Sequence, residues 1–298
     1  MTVLFRVDSS HQIGAGHVMR CLTLATRLRA LGVPVKFVTR DHPGSCMHVI
    51  QRQGFEVYLL PASAANPLPQ SSSTYSNWLG ASLNLDQAQT IDIIRTVRDI
   101  KWLVIDHYGI DMSWESAVAK HVERIFVIDD LANRRHHCNL LLDQTFGRST
   151  RAYSRLTPDD AEVLCGSQYA LLRPEFAAVR AESVANRINR PPRNILVAMG
   201  GTDSLNLTAR VLETLTDLPL TDFRVTVLLG RTAPHLEMVH GLCCKLPYAV
   251  KLHLDASNIP GLMAEADIAI GAAGTTAWER CCLGLPSIMI VAAANQTE

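Results

Sequence analysis

Apolar residues along this chain follow two rhythms that alternate with each other. Short, mostly apolar and β-prone runs, the mark of strands buried on both faces, fall at residues 2–7, 35–39, 56–60, 102–105, 124–128 and 140–142. Between them, at about 17–31, 45–53, 86–99 and 113–121, apolar positions recur at helical spacing. Val18, Leu22, Ala25 and Leu28 are one such stripe. This alternation predicts a parallel sheet with helices on both faces. Residues 61–76 are rich in Pro, Ser, Ala and Asn and read as a mobile surface loop. A helix with Pro in its first turn is expected at 174–185, followed by a polar, two-proline linker at 186–192.

A second alternation begins at Arg193. Strands are expected at 194–199, 224–229, 250–254, 268–271 and 287–291, with a helix at about 205–216 and another after Thr276. The stretch 267–286 repeats the logic of the chain's opening: strand, glycine turn, helix, Gly-Leu-Pro, strand. The expected fold class is α/β, with two doubly wound parallel-sheet domains facing a cleft. The expected domains are residues 1–185 and 193–298. In such a fold the ligand crevices lie at the carboxyl ends of the strands.

With 298 residues, 48% hydrophobic and 19% charged, the chain can build two cores. Its formal net charge is zero, so nothing points to nucleic acid or to an anionic membrane. No apolar run is long enough to span a bilayer, and the first residues read as a strand rather than a signal peptide. The eight cysteines include two neighbouring pairs and no Cys-x-x-Cys, so reduced thiols and a cytoplasmic location are expected.

Candidate chemistry gathers at predicted strand ends. Gly14 and Gly16 let the backbone turn tightly after the first strand, and His17 opens the following helix. Either His17 presents an imidazole to an anionic ligand at the helix's positive end, or the motif is only a corner. A carboxylate beside it, Asp8 being one candidate, would favour the charged ring. Asp106 and Tyr108 follow another strand and either face the crevice or cap and pack; Asp129-Asp130 has the same two readings. In the second half, Gly200-Gly201-Thr202-Asp203 ends a strand and is a ligand edge or a plain turn. Gly274-Thr275-Thr276 opens a helix whose amides and hydroxyls suit a pyrophosphate, or whose hydroxyl only caps the helix. Glu279, one turn on, suits the hydroxyls of a ribose, or is a solvated carboxylate. His136-His137-Cys138 lacks further ligands at metal-site spacing, so no metal site is expected. No Asp-x-Asp occurs to hold a divalent ion on a diphosphate.

Several motifs together carry a resemblance. They are Arg6-x-Asp8, Ile13-Gly14-x-Gly16-His17-Val18-Met19-Arg20-Cys21-Leu22, Asp106-x-Tyr108, Ile128-Asp129-Asp130, Leu172-Arg173-Pro174-Glu175-Phe176, Met199-Gly200-Gly201-Thr202-Asp203, and Ala273-Gly274-Thr275-Thr276 with Glu279, Gly284-Leu285-Pro286 and Asn295-Gln296. In this order they resemble the UDP-2,4-diacetamido-2,4,6-trideoxy-beta-L-altropyranose hydrolases (PseG) of pseudaminic acid biosynthesis, which are similar in fold to GT-B glycosyltransferases such as MurG. The resemblance spans essentially the whole chain. It implies attack of water on the anomeric carbon with inversion and release of UDP, with no cofactor and no metal. By the same resemblance His17, Tyr108 and Asn295 are the catalytic residues. Gly14, Gly16, Arg20, Asp106, Gly200, Gly201, Thr202, Gly274, Thr275, Thr276 and Glu279 are then the expected substrate contacts. The expected partner is a small UDP-sugar, with neither nucleic acid nor membrane insertion. The rivals are a GT-B glycosyltransferase and a non-catalytic nucleotide-sugar-binding protein of surface polysaccharide assembly. Glu298 closely follows Asn295-Gln296, whereas GT-B-like proteins continue into a further helix. The sequence therefore reads as a short member or a truncated one.

Overall fold

The computed structural model describes residues 1–62, 75–188, 190–218, 222–292 and 296. It divides into two compact units, Met1–Leu171 and Leu172–Glu298. Both are doubly wound parallel sheets.

The first unit runs β1 (Thr2–Val7), α1 (Gly16–Ala30), β2 (Val35–Arg40), α2 (Met47–Arg52), β3 (Glu56–Leu60), α3 (Leu83–Thr96), β4 (Ile100–Asp106), α4 (Met112–Val118), β5 (Arg124–Ile128), β6 (Leu140–Asp143) and β7 (Glu162–Cys165). The sheet order is β3-β2-β1-β4-β5-β6-β7. Every residue of β1 is buried, Arg6 included, as a central strand covered on both faces requires. Its side chains alternate between two cores. Leu4 packs with Ile94, Trp114 and Val118 from α3 and α4. Val3, Phe5 and Val7 pack with Val18, Leu22, Ala25 and Ile50 from α1 and α2. Phe5 stacks on Phe37 of β2 at 4.9 Å between ring centres.

The second unit runs α5 (Pro174–Asn186), β8 (Asn194–Ala198), α6 (Leu207–Leu215), β9 (Arg224–Leu229), α7 (Leu236–Cys243), β10 (Ala249–Leu254), α8 (Ile259–Glu265), β11 (Ile268–Ala272), α9 (Thr276–Cys282) and β12 (Ser287–Ile290), in sheet order β10-β9-β8-β11-β12. Leu212 and Val239 cover one face with Val197, Val225 and Val227. Phe176, Met263 and Leu283 cover the other with Leu196 and Ala269.

The boundary differs from the expected one. Helix α5, read as the end of the first domain, belongs to the second unit because Phe176 is buried in that unit's core. The presumed linker is fastened there too. Arg187 donates to the carbonyls of Met263, Ala266 and Leu283, and Arg190 pairs with Asp267 at 2.7 Å. Most of the expected 61–76 loop falls outside the described residues, as does Asn295.

In each sheet the chain winds outward from a central strand in one direction and then in the other. The point of reversal lies between β1 and β4 in the first unit and between β8 and β11 in the second. Crevices at such points, outside the strands' carboxyl ends, are where doubly wound sheets bind ligands. His17, Asp106 and Tyr108 lie at the first reversal; Gly200–Thr202 and Gly274–Thr276 lie at the second.

Candidate active site

The first site is built by a turn and a strand end. After β1 the chain turns on Ser10, whose Oγ accepts from the amides of Gln12 and Ile13 and whose carbonyl accepts from Gly14 at 2.8 Å. Gly14 sits at φ 76°, a conformation that L-residues disfavour. Helix α1 then begins at Gly16 with no side-chain cap. His17, Arg20 and Cys21 are spaced three and four apart, so they share one face of α1, and all three are buried. That face meets Asp106, the last residue of β4, which pairs with Val7 across the sheet.

Asp106 holds the arrangement together. Arg20 grips it with two parallel bonds, Nε to Oδ2 at 2.6 Å and Nη2 to Oδ1 at 2.7 Å. Such forked pairing fixes both partners in direction as well as distance. Oδ1 also lies 2.5 Å from Nδ1 of His17. Burial alone would raise the Asp106 pKa, but Arg20 and His17 hold it well below the usual carboxylate range. The ionised oxygen accepts from Nδ1, so in the neutral ring it is Nε2 that carries the lone pair. No group among the described residues bonds Nε2. The carboxylate beside His17 is thus Asp106 and not Asp8. Arg20 and Asp106, expected among the substrate contacts, are buried against each other and orient the imidazole.

Arg20 extends the network through Nη1 to Asp130, which accepts from the Tyr108 hydroxyl at 2.9 Å. Burial and the Asp130 charge push the Tyr108 pKa well up, so the phenol stays neutral. Its ring meets the His17 imidazole edge-on at 4.6 Å. Arg134 lies over the Tyr108 ring, 5.9 Å from its centre, held by Asp129 at 2.7 Å. His17 and Tyr108 therefore come together, with Asp130 joining them through Arg20 and the Tyr108 hydroxyl. Sequence reading missed Tyr75 and Trp78. Trp78 stacks on Tyr108 at 5.6 Å and meets His17 edge-on at 6.1 Å.

A second ionic cluster lies under the first. Asp8 bonds Arg6 at 2.5 Å, with His107 and His42 at 3.3 and 3.5 Å. Asp86 takes Arg6, Arg40 and the Trp114 indole. Burial pushes the Asp8 pKa up, but Arg6, His107 and His42 hold it well below the ordinary value. Burial also lowers the His107 pKa, against the pull of Asp8. His136 bonds Glu115 at 2.8 Å, and among the described residues no three His, Cys, Asp or Glu side chains gather as metal ligands.

In the second unit, Gly200 sits at φ 95° after β8, and Asp203 accepts from the amides of Leu207 and Thr208, fixing the turn onto α6. After β11, Gly274-Thr275-Thr276 leads into α9, which has no side-chain cap. Glu279 is mostly buried, and Arg173 donates to its Oε1 at 2.9 and 3.3 Å. Burial raises the Glu279 pKa against the pull of Arg173. Both bonds go to one oxygen, so Oε2 keeps its acceptor capacity. Buried Arg280 donates to the Ala272 carbonyl and lies where a Cβ on Gly271 would stand.

Residues 194–298 match the glycosyltransferase family 28 C-terminal domain. The spore coat polysaccharide biosynthesis protein SpsG of Bacillus subtilis is 33% identical over 97% of this chain and 77% of its own. The crystal structure of Acinetobacter baumannii MurG superposes with a TM-score of 0.62 at 14% identity, covering 99% of this chain and 80% of MurG. That likeness gives the fold, a GT-B architecture. The Campylobacter jejuni UDP-2,4-diacetamido-2,4,6-trideoxy-beta-L-altropyranose hydrolase is 31% identical over 90% of this chain and 83% of its own length, so the chain belongs to the family of that hydrolase.

Proposed function

We propose that this protein hydrolyses a UDP-linked 2,4-diacetamido-2,4,6-trideoxyhexose by attack of water on the anomeric carbon. The observation that carries this reading is the His17–Asp106 pair at 2.5 Å, which leaves Nε2 of a mostly buried histidine free to accept a proton. Nε2 takes a proton from water as the water oxygen bonds to the anomeric carbon. The bond from that carbon to the diphosphate oxygen breaks on the opposite face. UDP departs with the electron pair, and the sugar is released with inverted configuration. UDP is a good leaving group, so the base is the chief requirement. Tyr108 braces the imidazole, and Asn295 acts beside the reaction centre on the strength of the family resemblance alone. In the second unit, Gly200–Thr202 and Gly274–Thr276 hold the diphosphate, and Oε2 of Glu279 takes the ribose hydroxyls. With no Asp-x-Asp in the chain, backbone amides and hydroxyls carry the diphosphate charge.

Hydrolysis in ¹⁸O-water tests the reaction. Label is expected in the free sugar and not in UDP, and His17→Leu should cut turnover by roughly 10²–10⁴-fold, the usual contribution of a positioned base. Label in UDP, or near-normal turnover without His17, would overturn the reading. The match of residues 194–298 to a glycosyltransferase domain favours a second reading, in which an acceptor hydroxyl replaces water. That reading requires sugar release to depend on an added acceptor.

A further inference from the structure

We propose that Tyr75 and Trp78 form a sugar subsite that receives the apolar groups of a deoxy, acetamido-bearing pyranose. The inference rests on the proposed function. The two residues lie on or beside a short 3-10 turn, Ser76–Leu79, ahead of α3. Trp78 stacks on Tyr108 with an interplanar angle of 26°, and Tyr75 closes edge-on against Trp78 at 4.8 Å and Tyr108 at 5.2 Å. The group stands over the His17–Asp106–Arg20 cluster rather than over the apolar core.

The turn is pinned at its C-terminal end. Leu79 is buried in the core of the first unit. Gly80 sits at φ 63°, where an added Cβ would meet His42 at 2.5 Å, and Ser82 caps α3. Trp78 nevertheless stays half-buried, and its indole N–H has no acceptor among the described residues. Trp114 of the same unit shows the contrast: it is fully buried and donates to Asp86 at 3.1 Å. Packing therefore accounts for Trp114, whereas Trp78 keeps part of its side chain exposed and, among the described residues, an indole N–H without an acceptor.

Reach supplies the ligand. A base acting on water at hydrogen-bond distance puts the anomeric carbon within roughly 6 Å of Nε2. Trp78 is 6.1 Å from the imidazole, ring centre to ring centre, so a pyranose in reacting position meets the aromatic wall. A 2,4,6-trideoxy-2,4-diacetamido sugar offers three methyl groups, one at C6 and one on each acetamido group. Methyl groups pack on aromatic faces, and an acetamido carbonyl can accept from the indole N–H. A C6 hydroxyl on the same wall would be desolvated without a partner, which disfavours an ordinary hexose.

The test separates sugar recognition from turnover. UDP and the UDP-diacetamido-trideoxyhexose are titrated calorimetrically into the His17→Leu protein, with and without Trp78→Ala. Loss of Trp78 is expected to weaken the UDP-sugar about tenfold and UDP less than twofold, and Trp78→Phe should recover most of the loss. In the active enzyme the change should fall on KM rather than kcat. Should Trp78→Ala fail to fold, saturating the aromatic protons of the His17→Leu protein should transfer to the C6 and acetamido methyl signals. Equal weakening of both ligands, no weakening, or no transfer to the methyls would each overturn the subsite. A wild-type protein that prefers the UDP-sugar to UDP but never hydrolyses it would overturn the reaction and leave the subsite standing.

Discussion

Replacing one oxygen of Asp106 by an amide separates two duties of that side chain. Asparagine can still accept one bond from Arg20, but it no longer carries the charge that keeps the His17 proton on Nδ1. Asp106→Asn is therefore expected to lower kcat by roughly 10²–10⁴-fold, comparable to loss of the base, while UDP binding measured by calorimetry stays nearly unchanged. Normal turnover in that variant would mean that the pair does not set the tautomer. His17 and Tyr108 were legible in the sequence as candidates because each follows a predicted strand end. Their connection was not, since Asp106 lies 89 residues from His17 and only the β1–β4 pairing brings them together. The spacing of His17, Arg20 and Cys21 did carry a readable signal: three such residues on one helical face must meet something polar. Trp78 was hidden by its place beside a stretch whose composition says only loop.

At the level of elements, the central strands were easiest to read because burial on both faces gives mostly apolar runs. The missed elements have weaker patterns. Strand β7 is a half-buried edge of four residues. Helix α8 carries Pro260 and Gly261 in its first turn, and α7 leaves Met238 exposed. Helix α3 starts three residues earlier than expected, because Ser82 caps it by accepting from the Leu85 amide. The segment between β5 and β6 offers a pH test. Burial works against a charge on His136, but Asp129 and Glu115 lift its pKa to about 9, with Glu115 in direct contact at 2.8 Å. The folded pKa exceeds the unfolded one, so the stabilisation is complete below about pH 6.5 and lost as pH rises through 9. Thermal melts should show wild type more stable than His136→Asn at pH 6, on the order of 2 kcal/mol. The gap should narrow towards pH 9. A gap independent of pH would show that His136 is neutral throughout.

For the whole molecule, the two-sheet architecture followed from the strand–helix alternation, but the division between units did not. The prolines at 191 and 192 look like a linker, whereas Arg187 and Arg190 tie that segment to the second unit. No helix among the described residues is long and apolar enough to cross a membrane. The proposed division of labour makes two predictions. Glu279→Ala should weaken UDP binding by on the order of 2 kcal/mol in calorimetry, since charge-assisted hydroxyl contacts are lost; unchanged affinity would move the ribose contact elsewhere. Turnover should survive EDTA, because the chain has no Asp-x-Asp to hold an ion on the diphosphate. Inactivation by EDTA with recovery on magnesium or manganese would contradict this.

The order β3-β2-β1-β4 also bears on how the protein is made. Of the strands in its sheet, β1 is synthesised before the others yet lies in the middle. β2 covers one edge early, while the other edge stays bare until Ile100–Asp106 has been synthesised. A bare apolar strand edge on a nascent chain invites pairing with the wrong partner. The strand that finally covers it is the one that delivers Asp106 to His17. Covering that edge and bringing Asp106 to His17 thus fall to the same strand.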